Sequence, residues 1–591
     1  MARNKFDVDE TLETPFSLEH LKRAMKYVKK HAKKMIAALT CSALAVIVTL
    51  FGPLILQYAV DKTIPGGTEK LPELFLLTGL MLLTIVISIL LTTLRARIMT
   101  KVGQEIVYDI RKDLFDHLQM LPFQYYDDRP HGKILTRVVH YVNSVSDTLS
   151  NGIINFVLEI FNLIFIGIFM FMVDVRLSLI VIAGLPLFVI VALILKPKQR
   201  RGWQQISNKG SNMNAYFQES IDGAKITQVF AREEENKKIY EKLNRSHVAV
   251  WLKTQYTANL IWVSVDILSV LVLASMYLAG VLWFVPAISF GVILSMSNYA
   301  SRFWQPILNI SNLYNSFINT IAYLERIFET MDEPVVVCDA PDAVELPQIT
   351  GNLAFDHVTF SYDASKVILK DLSFEVKAGE SIALVGPTGA GKSTVVNLIS
   401  RFYNINDGRV LIDGYDISKV TLHSLRSQMG IMLQDSFIFS GTIKDNVRYG
   451  RLNATDEEIV KACETVCANE FIEEMPDGYD TVVTERGGGL SQGQKQLIAF
   501  ARTLLSDPKI LILDEATSSI DTKTERQLQI GLNKLLEGRT SFIIAHRLST
   551  IRNCDRIMYV SNQGISECGS HDELMAVKGD YYKLYTSQIA G

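Results

Sequence analysis

Cysteine and excess positive charge are both scarce in this sequence, and each shortage excludes a class of protein. Only six of its 591 residues are cysteine, and they are spread thinly, so no disulfide framework is predicted. Cys463 and Cys467 could face one way on a helix, but no nearby histidine or second cysteine pair completes four zinc ligands, so we interpret them as packed residues. The net charge is −3, which argues against the concentrated basic surface of a nucleic acid binder, and we expect no nucleic acid partner.

Long uncharged runs, by contrast, are frequent before residue 320. A helix rises 1.5 Å per residue, so about 20 apolar residues cross the roughly 30 Å of hydrocarbon in a bilayer. Six such spans are predicted, at residues 35–60, 74–94, 153–173 and 177–195 and as a pair within 254–301. The third and fourth are predicted to form a hairpin that turns at residues 174–176.

A basic cluster between Lys22 and Lys34 precedes the first span. By the positive-inside rule it lies in the cytoplasm, and six crossings return the chain to the same side. We interpret the cluster as an interfacial helix that orients insertion, in contact with membrane lipids, rather than as a specific lipid site. The sequence therefore predicts a multi-pass protein of the cell membrane, in a bacterium the inner or plasma membrane, with both ends cytoplasmic.

Charge-rich, helix-compatible sequence fills residues 95–150 and 196–253, between the second and third and the fourth and fifth spans. Loops this long are rarely structureless. Helices that continue out of the membrane for about 25 residues reach roughly 35 to 40 Å into the cytoplasm. We expect these extensions to contact a soluble domain.

A phosphate-binding loop is the strongest motif after the spans. Residues 381–385 are predicted to form a buried strand, and a helix is predicted to start at Lys392, which is the context that such a loop requires. Backbone N–H groups of the loop would enclose phosphate oxygens, Lys392 would neutralise their charge, the Ser393 hydroxyl would reach Mg²⁺, and Thr394 would add a contact. The loop consists of Gly386, Pro387, Thr388, Gly389, Ala390, Gly391, Lys392 and Ser393.

Two carboxylates follow a second predicted strand, residues 510–513. Strands of this composition are typical of buried parallel sheets, whose functional residues lie at the carboxyl ends. Asp514 could hold magnesium, and Glu515 could polarise the attacking water. The sequence therefore predicts an ATP and Mg²⁺ site.

The fold class follows from these two halves. We expect an α-helical membrane domain, with six transmembrane helices and long cytoplasmic extensions, followed by an α/β P-loop nucleotide-binding domain. Prolines at 334, 341 and 347 mark the change between them. The predicted divisions are residues 1–34 for the cytoplasmic segment with its basic helix, 35–325 for the transmembrane domain, 326–349 for a linker and 350–591 for the nucleotide-binding domain.

A second glycine-bearing loop, residues 490–494, lies about a hundred residues after the phosphate loop. Ser491 and Gly493 could present a hydroxyl and backbone amides at a helix start, which is an anion site. They cannot close on phosphates already enclosed by residues 386–393. A second nucleotide-binding domain must supply the other half of each site, so the chain is predicted to work as one of a pair.

Taken with these motifs, nearly the whole chain resembles the ATP-binding cassette (ABC) transporters, specifically half-transporters of the bacterial multidrug and lipid exporter type. The resemblance implies that Tyr362 stacks on adenine, and that Gln434 ligates the metal and links the ATP site to the membrane domain. It implies that Asp521 communicates across the dimer and that His546 acts as the switch histidine beside Glu515, Gln434 and Lys392 in catalysis. In the same way, partner-site contacts are expected from Ser491, Gln492, Gly493 and Gln494.

The same resemblance assigns the cytoplasmic loops. Residues 123–137, and in the second loop residues 219–223 and 229–233, resemble the segments that dock on nucleotide domains, while residues 484–487 resemble an exporter-specific segment. The chain departs from the family at Gln492, where glycine is common, and at His140-Tyr141, where an Asn-Asp pair is common. Since Glu515 is present, we expect this chain's own site to hydrolyse ATP, while Gln492 leaves open a weaker contribution to the partner's site.

Two ionisable residues, Glu159 and Asp266, lie within predicted spans, where facing lipid costs about 2.5 to 3.5 kcal/mol or more. We expect both to face the bundle interior, either along a path for a polar or cationic substrate or as structural pairs. Trp283, Phe284 and Trp304 are predicted to be membrane-interface anchors.

The expected function is ATP-driven export by a dimer of half-transporters, of multidrug or lipophilic cargo. The alternatives are a lipid or peptide exporter and, in a different class, an ATP-gated channel or membrane regulator. A soluble cassette ATPase is disfavoured by the six predicted spans. The sequence leaves open the cargo and whether the partner is identical or a related chain with one degenerate site.

Overall fold

The computed structural model describes residues 18–127, 129, 131–282, 288–363, 366–432, 436–514, 522–544 and 551–590. The chain divides into two compact units. The first comprises residues 1–118 with 132–332, and the second residues 119–131 with 333–591.

Helices make up the first unit. Turns of π-helix occupy Ala59–Thr63, Arg137–Tyr141 and Thr148–Gly152, and a 3-10 segment occupies Ile64–Lys70. In chain order the α-helices are α1 (Leu18–Lys30), α2 (Ala32–Tyr58), α3 (Leu71–Met120), α4 (Phe123–Asp127, in the second unit), α5 (His131–Thr136), α6 (Val142–Asp147), α7 (Ile153–Val173), α8 (Val175–Ala183), α9 (Leu185–Asp222), α10 (Ala224–Val229), α11 (Glu233–Leu282) and α12 (Phe290–Met331).

Four helical stretches in the described part of the chain are long and apolar enough to cross a membrane, at residues 32–120, 134–173, 175–222 and 233–282. The first stretch contains two predicted spans, which are separated by the 3-10 segment where Gly67 has a φ of +62°. The sixth predicted span overlaps the start of α12, which is not among the four stretches. An α-helical membrane region is therefore confirmed, and the count of six stays a prediction.

The third and fourth spans do form a hairpin at Asp174. Its backbone is extended, and its carboxylate accepts hydrogen bonds from the N–H groups of Arg176 and Leu177, each at 2.9 Å, so it caps α8. The predicted fourth span is interrupted, because α8 ends at Ala183 and α9 starts at Leu185. Pro186 has no N–H to continue the helix, which explains the break.

Two lysines of the basic cluster form ion pairs with acidic residues of α3. Lys34 Nζ lies 2.6 Å from Glu105 and Lys30 Nζ lies 2.8 Å from Asp109, both on α3. Beside these acidic residues, α3 buries residues spaced by three and four, which is the apolar stripe of a packed helix; they are Met99, Val102, Ile106, Ile110 and Leu114. Part of the cluster thus fastens α1 and α2 to α3.

Trp304 is not an interface anchor. Only 4% of it is exposed, and its ring lies 5.7 Å from that of Phe188 and 5.6 Å from that of Phe303. Because Met296, Tyr299 and Phe303 are also buried on α12, Trp304 belongs to the inward face of that helix. Trp283 and Phe284 lie outside the described residues.

The second unit is α/β. Its strands are β1 (Leu353–Phe360), β2 (Leu369–Val376), β3 (Ser381–Val385), β4 (Asp407–Ile412), β5 (Tyr415–Asp416), β6 (Met429–Met432), β7 (Gly441–Thr442), β8 (Val482–Val483), β9 (Ile510–Asp514), β10 (Thr540–Ile544), β11 (Arg556–Ser561) and β12 (Gly564–Gly569). Its helices after α4 are α13 (Lys392–Ile399), α14 (Leu422–Arg426), α15 (Ile443–Arg448), α16 (Asp456–Thr465), α17 (Asn469–Glu473), α18 (Gln492–Leu505), α19 (Thr522–Leu536), α20 (His571–Val577) and α21 (Asp580–Ala590).

A six-stranded sheet is the centre of this unit, in the order β12-β11-β3-β10-β9-β6. All neighbours are parallel except β11 and β12. A second, antiparallel sheet has the order β2-β1-β4-β5. In the six-stranded sheet only β10 separates β3 from β9, so the carboxyl ends of these two strands meet at one edge, which is where parallel sheets bind ligands.

Candidate nucleotide-binding site

The phosphate loop connects β3 to α13, as predicted. Gly386 has a φ of +140°, and a Cβ there would lie 2.3 Å from the carbonyl oxygen of Val560. Gly391, at +107°, directly precedes the helix. Side chains are strained at both angles, so glycine is required where the backbone turns into α13.

Lys392 is folded over this loop. Its ammonium donates to the carbonyl oxygens of Gly386 at 2.9 Å and Pro387 at 3.0 Å, and only 9% of the residue is exposed. Burial lowers the pKa of Lys392, and the negative charge of Asp514 opposes that shift. A cation that is partly withdrawn from water at a helix start attracts phosphate strongly.

Two side chains that carry oxygen atoms, those of Ser393 and Asp514, accompany this cation. Ser393 is exposed in the first turn of α13, and Asp514 ends β9 close enough for its charge to act on Lys392. Hydroxyl and carboxylate oxygens are the ligands that Mg²⁺ prefers, so this donor set fits the metal. Gln434, Glu515, Asp521 and His546 lie outside the described residues.

Tyr362 lies beside the same helix. Its hydroxyl is 3.1 Å from Oγ1 of Thr394 on α13, and 39% of the residue is exposed. Two aromatic rings, of Phe360 at 4.9 Å and Tyr403 at 5.0 Å, contact it edge to face. A tyrosine held in this way can offer a ring face to a base.

The glycine-bearing loop at 490–494 begins α18. Ser491 caps the helix: its Oγ accepts from the N–H of Gln494 at 3.2 Å, while Oε1 of Gln494 accepts from the N–H of Ser491 at 2.9 Å. Ser491 and Gln492 are exposed and Gly493 is buried. The Gln494 side chain is therefore engaged within its own helix, and the exposed serine hydroxyl and amides are what the loop presents.

The two loops serve opposite faces of the six-stranded sheet. Along β9, Ile510 and Ile512 pack in the core that contains α13, whereas Leu511 and Leu513 pack in the core that contains α18. Alternate residues of a strand point to opposite faces. The helix of the phosphate loop and the helix of residues 490–494 thus lie on different sides of the sheet.

The sequence did not predict the contacts that hold α4, at the start of the predicted docking segment 123–137. The ring of Phe123 on α4 stacks on Phe402, with centroids 5.0 Å apart and planes 16° apart. The hydroxyl of Tyr403 donates to Oδ2 of Asp127 at 3.0 Å. Since Tyr403 also contacts Tyr362, one residue touches both the docking segment and the tyrosine expected at the base. In the sequence, only the adjacent aromatic residues Phe402 and Tyr403 after α13 hinted at such a contact.

The structure also describes the other segments that the resemblance singled out. In the second loop, residues 219–223 end α9, and residues 229–233 join α10 to α11. Within α10 and the residue after it, Ile226 is 66% exposed, Val229 80% and Phe230 70%. The exporter-type segment contains a 3-10 turn, Glu485–Gly487. His140 and Tyr141 end a π-helical turn, where Tyr141 stacks on Tyr323 at 4.8 Å.

The two ionisable residues of the predicted spans differ. Glu159 on α7 is partly buried and contacts α12 through Asn309, so it faces the bundle as expected. Asp266 on α11 is exposed, beside the exposed Ile267, so it does not face the interior of the bundle that this chain forms. Helix periodicity explains the difference, because the buried row of α11 passes through Ile261 and Val265 instead.

Comparison with known proteins agrees with this arrangement. The family model of the ABC transporter transmembrane region matches residues 35–307, and that of the ABC transporter matches residues 369–518. The chain is 39% identical to an uncharacterized ABC transporter ATP-binding protein YknV of Bacillus subtilis (strain 168), over 100% of this chain and 98% of the relative. It is 32% identical to an ATP-dependent lipid A-core flippase of Syntrophus aciditrophicus (strain SB), over 100% and 98%. A solved bacterial Atm1-family ABC exporter with ATP bound matches with a TM-score of 0.78 and 29% identity, over 94% of this chain and 98% of that one.

Proposed function

This chain belongs to the ABC transporters, with the transmembrane region and the ATP-binding domain in one polypeptide, and we propose that two such half-transporters export a lipophilic cargo. ATP hydrolysis coupled to transport is the activity of this family. In the proposal, each ATP lies between the phosphate loop of one chain and the Ser491 loop of the other. The observation that carries it is the position of α13 and α18 on opposite faces of one sheet.

Each residue of the site has a proposed task. Lys392 neutralises the outer phosphates, Tyr362 stacks on the base, and Thr394 supports Tyr362 through the 3.1 Å contact. Glu515 orients the attacking water and accepts its proton, and His546 contacts the γ-phosphate.

Ser393, Asp514 and Gln434 would hold Mg²⁺, which neutralises charge on the phosphates when bound. Asp521 would communicate with the second chain.

The exposed apolar face of α10 supports pairing. Large apolar residues that are exposed together mark contact surfaces, and Ile226, Val229 and Phe230 are all highly exposed in the part of the chain that the structure describes. We propose that this face docks on the nucleotide domain of the second chain. The α4 segment, by contrast, packs with residues 402 and 403 of its own chain.

Export then follows from a difference in affinity. ATP must bind the closed pair of nucleotide domains better than the separated pair, because a ligand shifts an equilibrium only by its differential affinity. Closure moves the docked segments, the membrane helices open outward, and hydrolysis with phosphate release resets them. The lipid cargo in the name of the Syntrophus relative supports a lipophilic substrate here. Mass measurement of the purified assembly tells whether the partner is an identical chain or a related one.

Reconstituted full-length protein tests the proposal. ATP-dependent accumulation of lipophilic dyes in inverted vesicles is expected, and passive ion current is not. Glu515→Gln should retain ATP binding while turnover falls roughly 100-fold or more, as for loss of a general base. Unchanged turnover would remove Glu515 from this task, and nucleotide-gated current without accumulation would favour a channel.

A further inference from the structure

A row of polar side chains follows one face of α12. Its members are spaced alternately by four and three residues, so at 3.6 residues per turn they fall within an arc of about 100°. We call them the polar row; they are Asn298, Arg302, Gln305, Asn309, Asn312, Ser316 and Asn319. The row is exposed except at Asn298 and Asn309, which are partly buried, whereas Met296, Tyr299 and Phe303 on the other side of the helix are buried.

Arg302 lies at membrane depth, although the predicted sixth span ends by residue 301. Less than one turn before it, the hydroxyl of Tyr299 donates to the carbonyl oxygen of Leu50, which is in the interior of the predicted first span. Two turns after it, Asn309 donates to Glu159, in the predicted third span, at 2.7 Å. A cation that faces lipid at this depth costs about 2.5 to 3.5 kcal/mol or more. We therefore expect the polar row to face water or a second chain rather than lipid.

The positive charge of Arg302 is not neutralised by an ion pair in the part of the chain that the structure describes. Its neighbours one turn away along the row, Asn298 and Gln305, are uncharged amides. Further along the row, Lys196 on α9 donates to Oδ1 of Asn312 at 3.1 Å, which adds a second cation and no carboxylate. The polar row is thus a cationic surface.

Glu159 is not placed to balance Arg302. It lies two turns away along the row, beside Asn309. It also has a cation nearer to it, because Arg95 on α3 donates to Asn155 at 3.1 Å, one turn before Glu159 on α7.

Asp266, the other carboxylate in the predicted spans, lies at a different depth. The hydroxyl of Tyr277 on α11 donates to Oγ of Ser297 on α12 at 2.8 Å, which aligns the two helices. Counted from this contact at 1.5 Å per residue, Asp266 lies roughly 9 Å nearer to the cytoplasm than Arg302. A second copy related by a two-fold axis along the membrane normal has its Asp266 at the same depth, so neither chain offers Arg302 a carboxylate at its own level.

We propose that Arg302 and the adjoining amides bind the anionic headgroup, a carboxylate or a phosphate, of an amphiphilic cargo. A guanidinium presents its N–H donors in a fork that matches two oxygens of such a group. Gln305 donates one N–H to Oδ1 of Asn309 at 3.2 Å and keeps the other for the headgroup. Charge complementarity selects this occupant, because a neutral or cationic headgroup would leave the guanidinium unpaired. The inference rests on the proposed export function, since it takes the polar row as part of the cargo path.

Binding of a matched pair of probes tests it. The probes are a long-chain alkyl phosphate, which is anionic at neutral pH, and the alcohol of the same chain length. Full-length protein in nanodiscs of zwitterionic lipid, without nucleotide, should bind the phosphate at least about tenfold more tightly, as expected for a charged hydrogen bond. Empty nanodiscs correct for partition into lipid.

Three variants locate the site. Arg302→Gln should lose the preference for the phosphate and keep the affinity for the alcohol, which also shows that the variant is folded. Arg302→Lys should keep part of the preference, because it keeps the charge without the fork. Arg245→Gln removes the same charge from an exposed position of α11 before the predicted fifth span and should keep the preference in full. An equal preference in wild type and Arg302→Gln would overturn the proposal, as would binding of neither probe.

Asp266→Asn separates cargo from a second copy as the source of the anion. The variant should keep the wild-type preference if Arg302 is free for cargo. A preference that is absent in wild type and arises in Asp266→Asn would show that the carboxylate of a second copy occupies Arg302, and the proposal would be wrong.

Export and binding fail separately in this design. Binding selective for the phosphate without ATP-driven accumulation would support the site and contradict the export function. Accumulation of lipophilic dyes without selectivity for the phosphate would leave the export function standing and remove this site.

Discussion

Replacing Tyr403 with phenylalanine should loosen α4 from the nucleotide domain. The change removes the hydroxyl that donates to Oδ2 of Asp127 at 3.0 Å and keeps the ring against Tyr362. A hydrogen bond to a charged group contributes about 1.5 to 3 kcal/mol. Asp127 is exposed, so solvent reduces this to about 1 kcal/mol, which is a factor of about five in the docking equilibrium.

Hydrogen exchange of residues 119–131 in the full-length protein measures this equilibrium directly. Protection of that segment should fall about fivefold in Tyr403→Phe, because local opening scales with the lost free energy. Stimulation of ATP hydrolysis by cargo should fall in the same variant. Tyr415→Phe is the matched control, since Tyr415 is 44% exposed on β5 and its hydroxyl has no hydrogen bond among the described residues. Unchanged protection in Tyr403→Phe, or an equal loss in the control, would show that the hydrogen bond from Tyr403 to Asp127 does not hold α4.

Three further changes have defined outcomes. Lys392→Ala should weaken ATP binding about tenfold or more by equilibrium titration, and retained affinity would remove Lys392 from the phosphate site. Burial would raise the pKa of Asp413, but hydrogen bonds from Thr350 and Asn352 lower it to about 2. Since the unfolded value is about 3.9, its stabilisation is present above pH 4 and lost toward pH 2. Asp413→Asn should therefore lower the free energy of unfolding by about 1 kcal/mol at pH 7, after discounting for solvent, and leave it unchanged near pH 2. Denaturant titrations at the two pH values measure this difference. Asp61→Asn should lower the melting temperature, because the Asp61 carboxylate accepts from Ser289 and from the N–H of Gly291 at the start of α12; an unchanged temperature would contradict that capping.

Local motifs could be predicted from the sequence because neighbouring residues form them. The apolar run at 381–385 followed by glycines and Lys392 gives a strand, a turn with positive φ and a helix start within a dozen residues. Asp174 marks its turn in the same way, with both hydrogen-bond donors within three residues.

Contacts between distant parts of the chain could not be predicted in this way. The stack of Phe123 on Phe402 joins aromatic residues that no spacing rule connects. Trp304 is of a residue type that is typical of membrane interfaces, but the face of α12 on which it lies depends on packing against Phe188. Whether Asp266 faces inward depends on the rotation of α11, which one ionisable residue in an apolar run does not determine.

Mixed dimers test whether the ATP site is shared between two chains. Chains with Lys392→Ala and chains with Ser491→Ala, each also carrying Glu515→Gln to prevent turnover, are purified as mixed dimers through two different tags. If the site is shared, the mixed dimers retain ATP, and a photoreactive ATP labels the Ser491→Ala chain, whose phosphate loop faces the intact Ser491 of its partner. Dimers of either variant alone should retain little. If verified mixed dimers retain no more ATP than dimers of Ser491→Ala alone, Ser491 acts on its own chain and the ATP site is not shared between two chains.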